Sequence, residues 1–365
     1  MIYLNNASTS YPKPKIVPDS VNEYLMNAPQ NFGRGSTFTS NFIMDTRKLI
    51  LDFFGAGNEY YVVFTSGSTE AINLVINGMD LVGKNVLITS TEHNAVIRPL
   101  KHLEKNGIIT ISVAQSDDKG VVSPHSIEEL ISGNTGLIVL NYVSNVTGTI
   151  QDVNTICGLA HQHNIPVLID GSQAAANIEI NLDKTQADYF AFTGHKSLFG
   201  MQGIGGLIFN KNMKFAPLKF GGTGFRSNFL YQPDELPHKY EAGTQNIPGI
   251  ISLRNGIEYI NSIGLSKIIS HKNEMMMPLI DSLEQLKKIR LFYNKVNYAG
   301  SVLSFLIEGI APEEVSYILK SSFDIEIRAG LHCVPLMHQN IGSLPLSLLP
   351  KYLINTQFVF INLYC

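Results

Sequence analysis

The stretch Tyr189-Phe-Ala-Phe-Thr-Gly-His-Lys-Ser-Leu-Phe-Gly200 is an apolar run of strand length that stops in a polar turn. The pattern recurs upstream. Val167-Leu-Ile runs into Asp170-Gly-Ser-Gln173, and Leu137-Ile-Val-Leu140 precedes Tyr142-Val-Ser-Asn-Val-Thr-Gly148. Val86-Leu-Ile-Thr89 leads to Ser90-Thr-Glu-His-Asn94, and Tyr61-Val-Val-Phe64 leads to Thr65-Ser-Gly-Ser-Thr-Glu70. Two more runs fall at 108–113 and 206–209, and segments of helical spacing lie at 69–79, 94–105, 125–132 and 153–163. Runs that are apolar throughout, rather than alternating, belong to strands buried on both faces. Strand followed by helix, repeated, implies crossover connections and parallel pairing. The expectation is α/β: a large three-layer αβα domain with a mostly parallel sheet, its core over about 60–245.

Outward from that core, 15–28 and 41–54 carry helical spacing, with Val17, Val21, Tyr24 and Leu25 on one face and Phe42, Ile43, Leu49, Ile50 and Phe53 on another. A polar loop, Asn31–Thr37, lies between them. Residues 211–245 read as loop, 249–262 and 266–288 as helix, and 291–293, 302–306 and 325–327 as strands around a helix at 312–321. The expected organisation is a segment 1–15 near the cleft, a large domain over 16–250 and a smaller α+β domain over 251–365, of which 343–365 is atypical. With 44% apolar and 16% charged residues among 365, the chain is globular rather than disordered. Its 27 basic and 30 acidic residues leave no basic footprint for nucleic acid or anionic lipid. There is no membrane-length apolar window and no secretory leader pattern at Met1, so the expected setting is the cytoplasm. Three widely spaced cysteines, Cys157, Cys333 and Cys365, do not form a disulfide framework. Cys157 fits an apolar helix face with Val153, Ile156 and Ala160.

Parallel sheets bind ligands at the carboxyl ends of their strands, so the polar residues there are the candidates. Ser68 and Thr69 open a helix after a Gly/Ser/Thr turn, an anion cup or an ordinary helix cap. Asp170 ends a buried strand and needs a cation, or else caps the segment after it. Lys196 sits among Phe190, Phe192, Leu198 and Phe199, where desolvation makes an amine nucleophilic, unless the ammonium reaches solvent. His93 and Asn145 come after two other strands, and singly such residues are more often structural. Together an anion cup, a carboxylate, a desolvated lysine and a flat imidazole are the parts that hold pyridoxal 5′-phosphate.

The ordered set Thr65-Ser-Gly-Ser-Thr-Glu-Ala-Ile-Asn73, Glu92-His-Asn94, Ser144-Asn-Val-Thr-Gly148, Asp170-Gly-Ser-Gln173, Thr193-Gly-His-Lys196, Tyr240-Glu-Ala-Gly-Thr-Gln-Asn246 and Arg328-Ala-Gly-Leu-His-Cys333 resembles the cysteine desulfurases. These belong to the class V branch of fold-type-I pyridoxal-phosphate enzymes, and the likeness is greatest to the group with an R-x-G-x-H-C loop. It covers about residues 1–342. The resemblance implies that Lys196 joins the cofactor, Asp170 pairs with its ring nitrogen and Gln173 bonds its phenolic oxygen. It implies that His93 stacks on the ring and moves protons, and that Ser68, Thr69, Thr193 and His195 hold the phosphate. Asn145 and Arg328 would lie near the substrate carboxylate, and Thr244 would reach the phosphate of a partner subunit in a C2 homodimer. Cys333 would attack the sulfur of L-cysteine, leaving a persulfide for an acceptor protein and releasing L-alanine; a nearby arginine or histidine favours the thiolate form. A small buried cysteine is the plainer alternative for an arbitrary Cys. Selenocysteine lyase, β-elimination lyase or aminotransferase activity, or a cofactor-binding protein with impaired catalysis, remain open. A metal site from His332, Cys333 and His338 lacks ligand spacing. After Gly342 the resemblance fades: no arginine stands where the family grips the substrate carboxylate, as though the reading frame changes near residue 343.

Overall fold

The computed structural model describes residues 1–27, 37–343 and 359–361. Most of the expected loop at 31–37, most of the atypical tail, and Cys365 lie outside these residues. In chain order come β1 (Ile2–Tyr3), α1 (Ile16–Met26), α2 (Thr37–Phe53), β2 (Tyr60–Thr65), α3 (Ser68–Gly78), β3 (Asn85–Thr89), α4 (Asn94–Lys105) and β4 (Thr110–Ala114). Next are α5 (Pro124–Glu128), β5 (Thr135–Asn141), α6 (Val153–Gln162), β6 (Val167–Asp170), α7 (Leu182–Thr185), β7 (Tyr189–Thr193) and β8 (Gly205–Asn210). The last described elements are α8 (Ile247–Ile263), α9 (Leu265–Glu284), β9 (Ile289–Phe292), β10 (Leu303–Ile307), α10 (Pro312–Phe323), β11 (Ile325–Glu326), α11 (Met337–Asn340) and β12 (Val359–Ile361).

Seven strands form the central sheet in the order β2-β8-β7-β6-β5-β3-β4. All pairs are parallel except those made by β8, which runs against both β2 and β7. β2 therefore points the same way as β7, and the carboxyl ends of β2, β3, β5, β6 and β7 share one edge. Every residue of β3, β6 and β7 is buried, as the unbroken apolar runs require. The two faces have separate cores. Val167 and Ile169 pack with α1, α2, α6 and α8, while Leu168 packs with α3 and α4. A three-stranded sheet, β12-β10-β9, lies apart from the large one, and β1 pairs in parallel with β11. The expectation of a mostly parallel three-layer α/β core is met.

Three local expectations are corrected. Leu25, placed on the apolar face of α1, is exposed; Val17 and Val21 alone are buried there. The helix expected over 125–132 is only five residues long, α5, and the chain turns at Glu129. The helix expected to reach 288 stops at Glu284, whose carboxylate accepts from Tyr293 Oη at 2.6 Å and ties the helix end to the chain just past β9.

Edge strand β2 exposes a row of backbone groups that must be satisfied. Arg47, on α2, donates to Val62 O, and Glu241 accepts from Phe64 N at 2.7 Å. The two side chains meet at 2.6 Å, 3% and 5% exposed, and Gln245 Nε2 donates to the same carboxylate at 2.7 Å. The pair thus covers the sheet edge and anchors the segment that carries Thr244. Removing one partner leaves a buried charge alone. Glu241→Ala is expected to cost about 3–5 kcal/mol in urea unfolding, with part of the loss recovered when Arg47→Met is added. An additive double variant would show that the two charges do not act as a pair.

Candidate functional site

The shared strand edge opens into a cavity of about 450 Å³. Its anion-binding end is the start of α3. Gly67 has φ of 152°, a conformation for which a side chain is strained, and no side chain caps the helix. Ser68 and Thr69, the first residues of α3, line the cavity, which brings the unpaired N–H groups and the positive dipole end of that helix to this end. Thr193 Oγ1 lies 3.5 Å from where a Cβ on Gly67 would stand. Close approach continues beneath: a Cβ on Gly205 would come within 2.6 Å of Gly67 Cα. Glu70 lines this end, but Lys219 holds it at 2.6 Å and so balances its charge.

The centre is built from three strand ends. Asp170 closes β6; its Oδ1 accepts from Ser172 N at 2.9 Å and Ser172 Oγ at 2.5 Å. Lys196 comes after β7 in a turn held by Gly200 N to Gly194 O at 2.8 Å and Phe199 N to Lys196 O at 3.0 Å. Lys196 is half-buried and lines the cavity. Burial pushes its pKa down, Asp170 opposes that shift, and Arg328 adds to it. His93 caps α4, accepting from Ala95 N through Nδ1 at 3.0 Å. That leaves Nε2 as the protonated nitrogen of a neutral ring. Burial, with Lys196 and Arg328 reinforcing and Asp170 opposing, lowers its pKa to about 4. His195 is likewise lowered to about 4, by burial and then by Lys196 and Lys13. Its Nδ1 is buried without a partner among the described residues, as is Asn145 Oδ1. Gln173 donates Nε2 to Ala7 O at 3.1 Å and keeps a second amide N–H. A cavity with a flat neutral imidazole, an amine opposite a carboxylate, and an anion cup beside an unpartnered buried nitrogen suits a planar anionic group.

Cys333 is half-buried and does not itself line the cavity; its neighbour His332 and the Arg328 it contacts do. His332 and Cys333 have φ of 49° and 63°, two successive left-handed residues with side chains. Such conformations cost about 1–2 kcal/mol each and persist where neighbours over-determine them. Here Asn145 Nδ2 donates to His332 O at 2.8 Å, and Asn94 N, at the start of α4, donates to Cys333 O at 2.7 Å. His338 Nε2 meets Leu331 O at 2.9 Å and its Nδ1 meets Ser343 Oγ at 3.1 Å, so that imidazole braces the loop. Arg328 places Nη2 at 3.6 Å from Cys333 Sγ and Nη1 at 3.5 Å from Ser8 Oγ. It is the one arginine among the described residues that lines the cavity. Thr244 lies apart, in a smaller neighbouring pocket of about 160 Å³ that shares Ser66 and Glu70 with the first. Cys157 is buried in the core with its thiol pKa pushed up to about 12 by burial. Ala7 and Ser8, absent from the sequence-based candidates, reach the cavity because β1 ties the N-terminal segment to β11, two residues before Arg328.

The chain matches the family described as aminotransferase class-V over residues 2–344. It is 32% identical to the protein called "Probable cysteine desulfurase" of Borreliella burgdorferi, the match covering 98% of this chain and 88% of that one. It is 34% identical to a protein of the same name in Halalkalibacterium halodurans, covering 92% and 85%. The solved apo structure of a cysteine desulfurase from Thermococcus onnurineus superposes with a TM-score of 0.88 at 29% identity, covering 99% of this chain and 89% of that one.

Glu92 belongs to the Glu92-His-Asn94 motif but has no role assigned from sequence; the signal available is an acid between two buried strand ends. It is wholly buried. Its Oε1 accepts from Thr89 Oγ1 at 2.6 Å and Asn141 N at 2.9 Å, while Oε2 has no partner among the described residues. Desolvation, with Asp170 adding, raises its pKa from 4.5 to about 8. The unfolded chain releases this proton near 4.5 and the folded one near 8, so the folded state binds more protons between them. Stability therefore falls as pH rises through that window. Glu92→Gln keeps the shape without the charge. Its urea midpoint is expected to lose less ground between pH 5 and pH 8 than the wild type's. Parallel losses would mean that Glu92 is already ionised in the fold.

Proposed function

We propose, for a chain that belongs to the class-V aminotransferase family and within it to the cysteine desulfurases, that the cavity binds pyridoxal 5′-phosphate and converts L-cysteine to L-alanine, with Cys333 taking the sulfur as a persulfide. The observation that carries this reading is that Lys196, Asp170 and Arg328 line one cavity with an anion cup at its end, and Arg328 contacts Cys333 just outside that lining. The cofactor, when bound, supplies an aldehyde for amines and a ring that draws electrons from the substrate's α-carbon.

The chain's own residues divide the remaining work. Ser68, Thr69, Thr193 and His195 hold the phosphate through backbone N–H groups, hydroxyls and the unpartnered Nδ1. Asp170 would pair with the ring nitrogen, Gln173 would bond the phenolic oxygen, and His93 would stack on the ring. Lys196 would hold the aldehyde carbon. Burial lowers its basicity, which eases proton transfer, so it also moves protons at the α-carbon. Arg328 and Asn145 receive the substrate carboxylate. The Cys333 thiolate attacks the substrate sulfur: an S–S bond forms as the Cβ–S bond breaks, the carbon keeps the electron pair, and a proton completes the methyl group of alanine. An acceptor protein then takes the persulfide sulfur.

We also assign the chain to the cytoplasm and to a C2 homodimer, in which Thr244 reaches the partner's phosphate. Support for the latter is that Thr244 lies in a pocket that abuts the cup rather than in the cavity. For the setting, no helix among the described residues is long and apolar enough to cross a membrane.

A visible spectrum and an alanine assay test the reading. Cys333→Ala is expected to keep the cofactor's absorbance and lose at least about 100-fold in cysteine-dependent alanine formation. Lys196→Ala is expected to lose the cofactor-derived band present in the wild type. Unchanged alanine formation in Cys333→Ala would overturn sulfur transfer to Cys333, and a keto acid in place of alanine would point to β-elimination or transamination. Arg328→Met is expected to raise KM for cysteine about 100-fold, since a charge-assisted carboxylate contact is lost.

A further inference from the structure

Lys272 stands on α9, away from the cavity, yet it is 4% exposed and its head reaches the turn after Asp170. Nζ donates to Ala176 O at 3.1 Å and to Asn177 Oδ1 at 2.6 Å. Ala176 has φ of 57°, a left-handed conformation disfavoured for a residue with a Cβ. Its carbonyl is one of the two acceptors that the lysine head holds. Asn177, also wholly buried, continues the line: Nδ2 donates to Gln173 O at 2.7 Å. Gln173 in turn donates to Ala7 O at 3.1 Å. Four residues therefore form an unbroken buried path from a helix of the second half of the chain, across the turn that bears Asp170 and Gln173, to the N-terminal segment beside Arg328.

Packing alone does not account for this arrangement. A buried ammonium is disfavoured, and burial pushes this one down to about 7. An aliphatic side chain of the same length would fill the space without that penalty. What the amine adds is donors. Charged or neutral, the nitrogen has at least two N–H groups, enough for both acceptors. Those acceptors belong to the segment that must be held still if Asp170 and Gln173 are to face a ring.

We propose that Lys272 is a positioning residue for the cofactor site: through Ala176 and Asn177 it holds the 170–177 turn in the conformation that sets Asp170 and Gln173 on the cavity wall. This rests on the cofactor reading given above.

Two variants separate positioning from packing. Lys272→Met keeps length and removes both donors. Asn177→Asp keeps an acceptor for Lys272, and charges it, but removes the donor to Gln173 O. Each protein, freed of cofactor, is titrated with pyridoxal 5′-phosphate by visible absorbance and unfolded in urea. Both variants are expected to raise the dissociation constant about ten-fold, the scale of one lost buried hydrogen bond. A purely structural lysine predicts the opposite: lower stability in Lys272→Met and wild-type affinity in Asn177→Asp. Wild-type affinity in Asn177→Asp overturns the proposal, even where Lys272→Met fails to fold. A wild-type chain that takes up no cofactor would instead overturn the function proposed above, and this role with it.

Discussion

The cavity is organised around the cost of keeping an amine out of water at the edge of a parallel sheet. Lys196 has Asp170 opposite it and Arg328 on its flank, so one carboxylate faces two cations. The other acids nearby do not alter that balance. Glu70 is taken by Lys219, and Glu92 is held as a neutral acid by burial. Both imidazoles, His93 and His195, are neutral for the same reason. The result is a local excess of positive charge beside free helix N–H groups. Such a field suits a ligand that carries a phosphate and a carboxylate, and it exists because desolvation disfavours charge on Glu92, His93 and His195 while Lys219 balances Glu70.

That balance needs accurate placement, which the sheet supplies by register and the loops supply by backbone contacts. The turn at Lys196 illustrates the second. His195 O receives Thr9 Oγ1 at 3.1 Å, Ser10 N at 3.1 Å, Ser10 Oγ at 3.2 Å and Lys13 Nζ at 3.3 Å. The N-terminal segment therefore clamps the residue next to the amine. Its own start is fixed by pairing with β11, so residues more than three hundred positions apart in sequence meet at the cavity. A site assembled this way tolerates little freedom in any one strand end, because β2, β3, β5, β6 and β7 each bring lining residues to the same cavity.

Much of this was legible in the sequence. Unbroken apolar runs identified the buried strands, and the polar turns after them identified the cavity wall, because burial on both faces and ligand binding at carboxyl ends are local consequences of one architecture. The strands at 167–170 and the helix at 94–105 appear at those boundaries. What escaped was non-local. Arg47 lies in a helical stretch where a charged residue ordinarily faces solvent, and nothing near it in sequence says that Glu241 will be its partner. Leu25 fits the apolar spacing of α1, but the core ends one turn earlier. Glu92 and Lys272 are ordinary letters until burial makes their protonation a property of the whole fold. Lengths of short helices were also beyond periodicity, since five residues carry little more than one turn.

The Arg328 contacts bear on how such a rim can act. At 3.6 Å to Cys333 Sγ and 3.5 Å to Ser8 Oγ, the guanidinium is loosely engaged. A substrate carboxylate would bind it at about 2.7–2.9 Å, in two parallel charge-assisted bonds. The stronger contact displaces the weaker, so arrival of an amino acid would draw Arg328 off the sulfur. Cys333 itself would stay where it is, because its loop is held by backbone carbonyls, through Asn145 and the first N–H of α4, rather than by its side chain. The residue that orients the substrate would then release the nucleophile at the same moment. The left-handed conformations of His332 and Cys333 are the local strain that those backbone contacts hold in place.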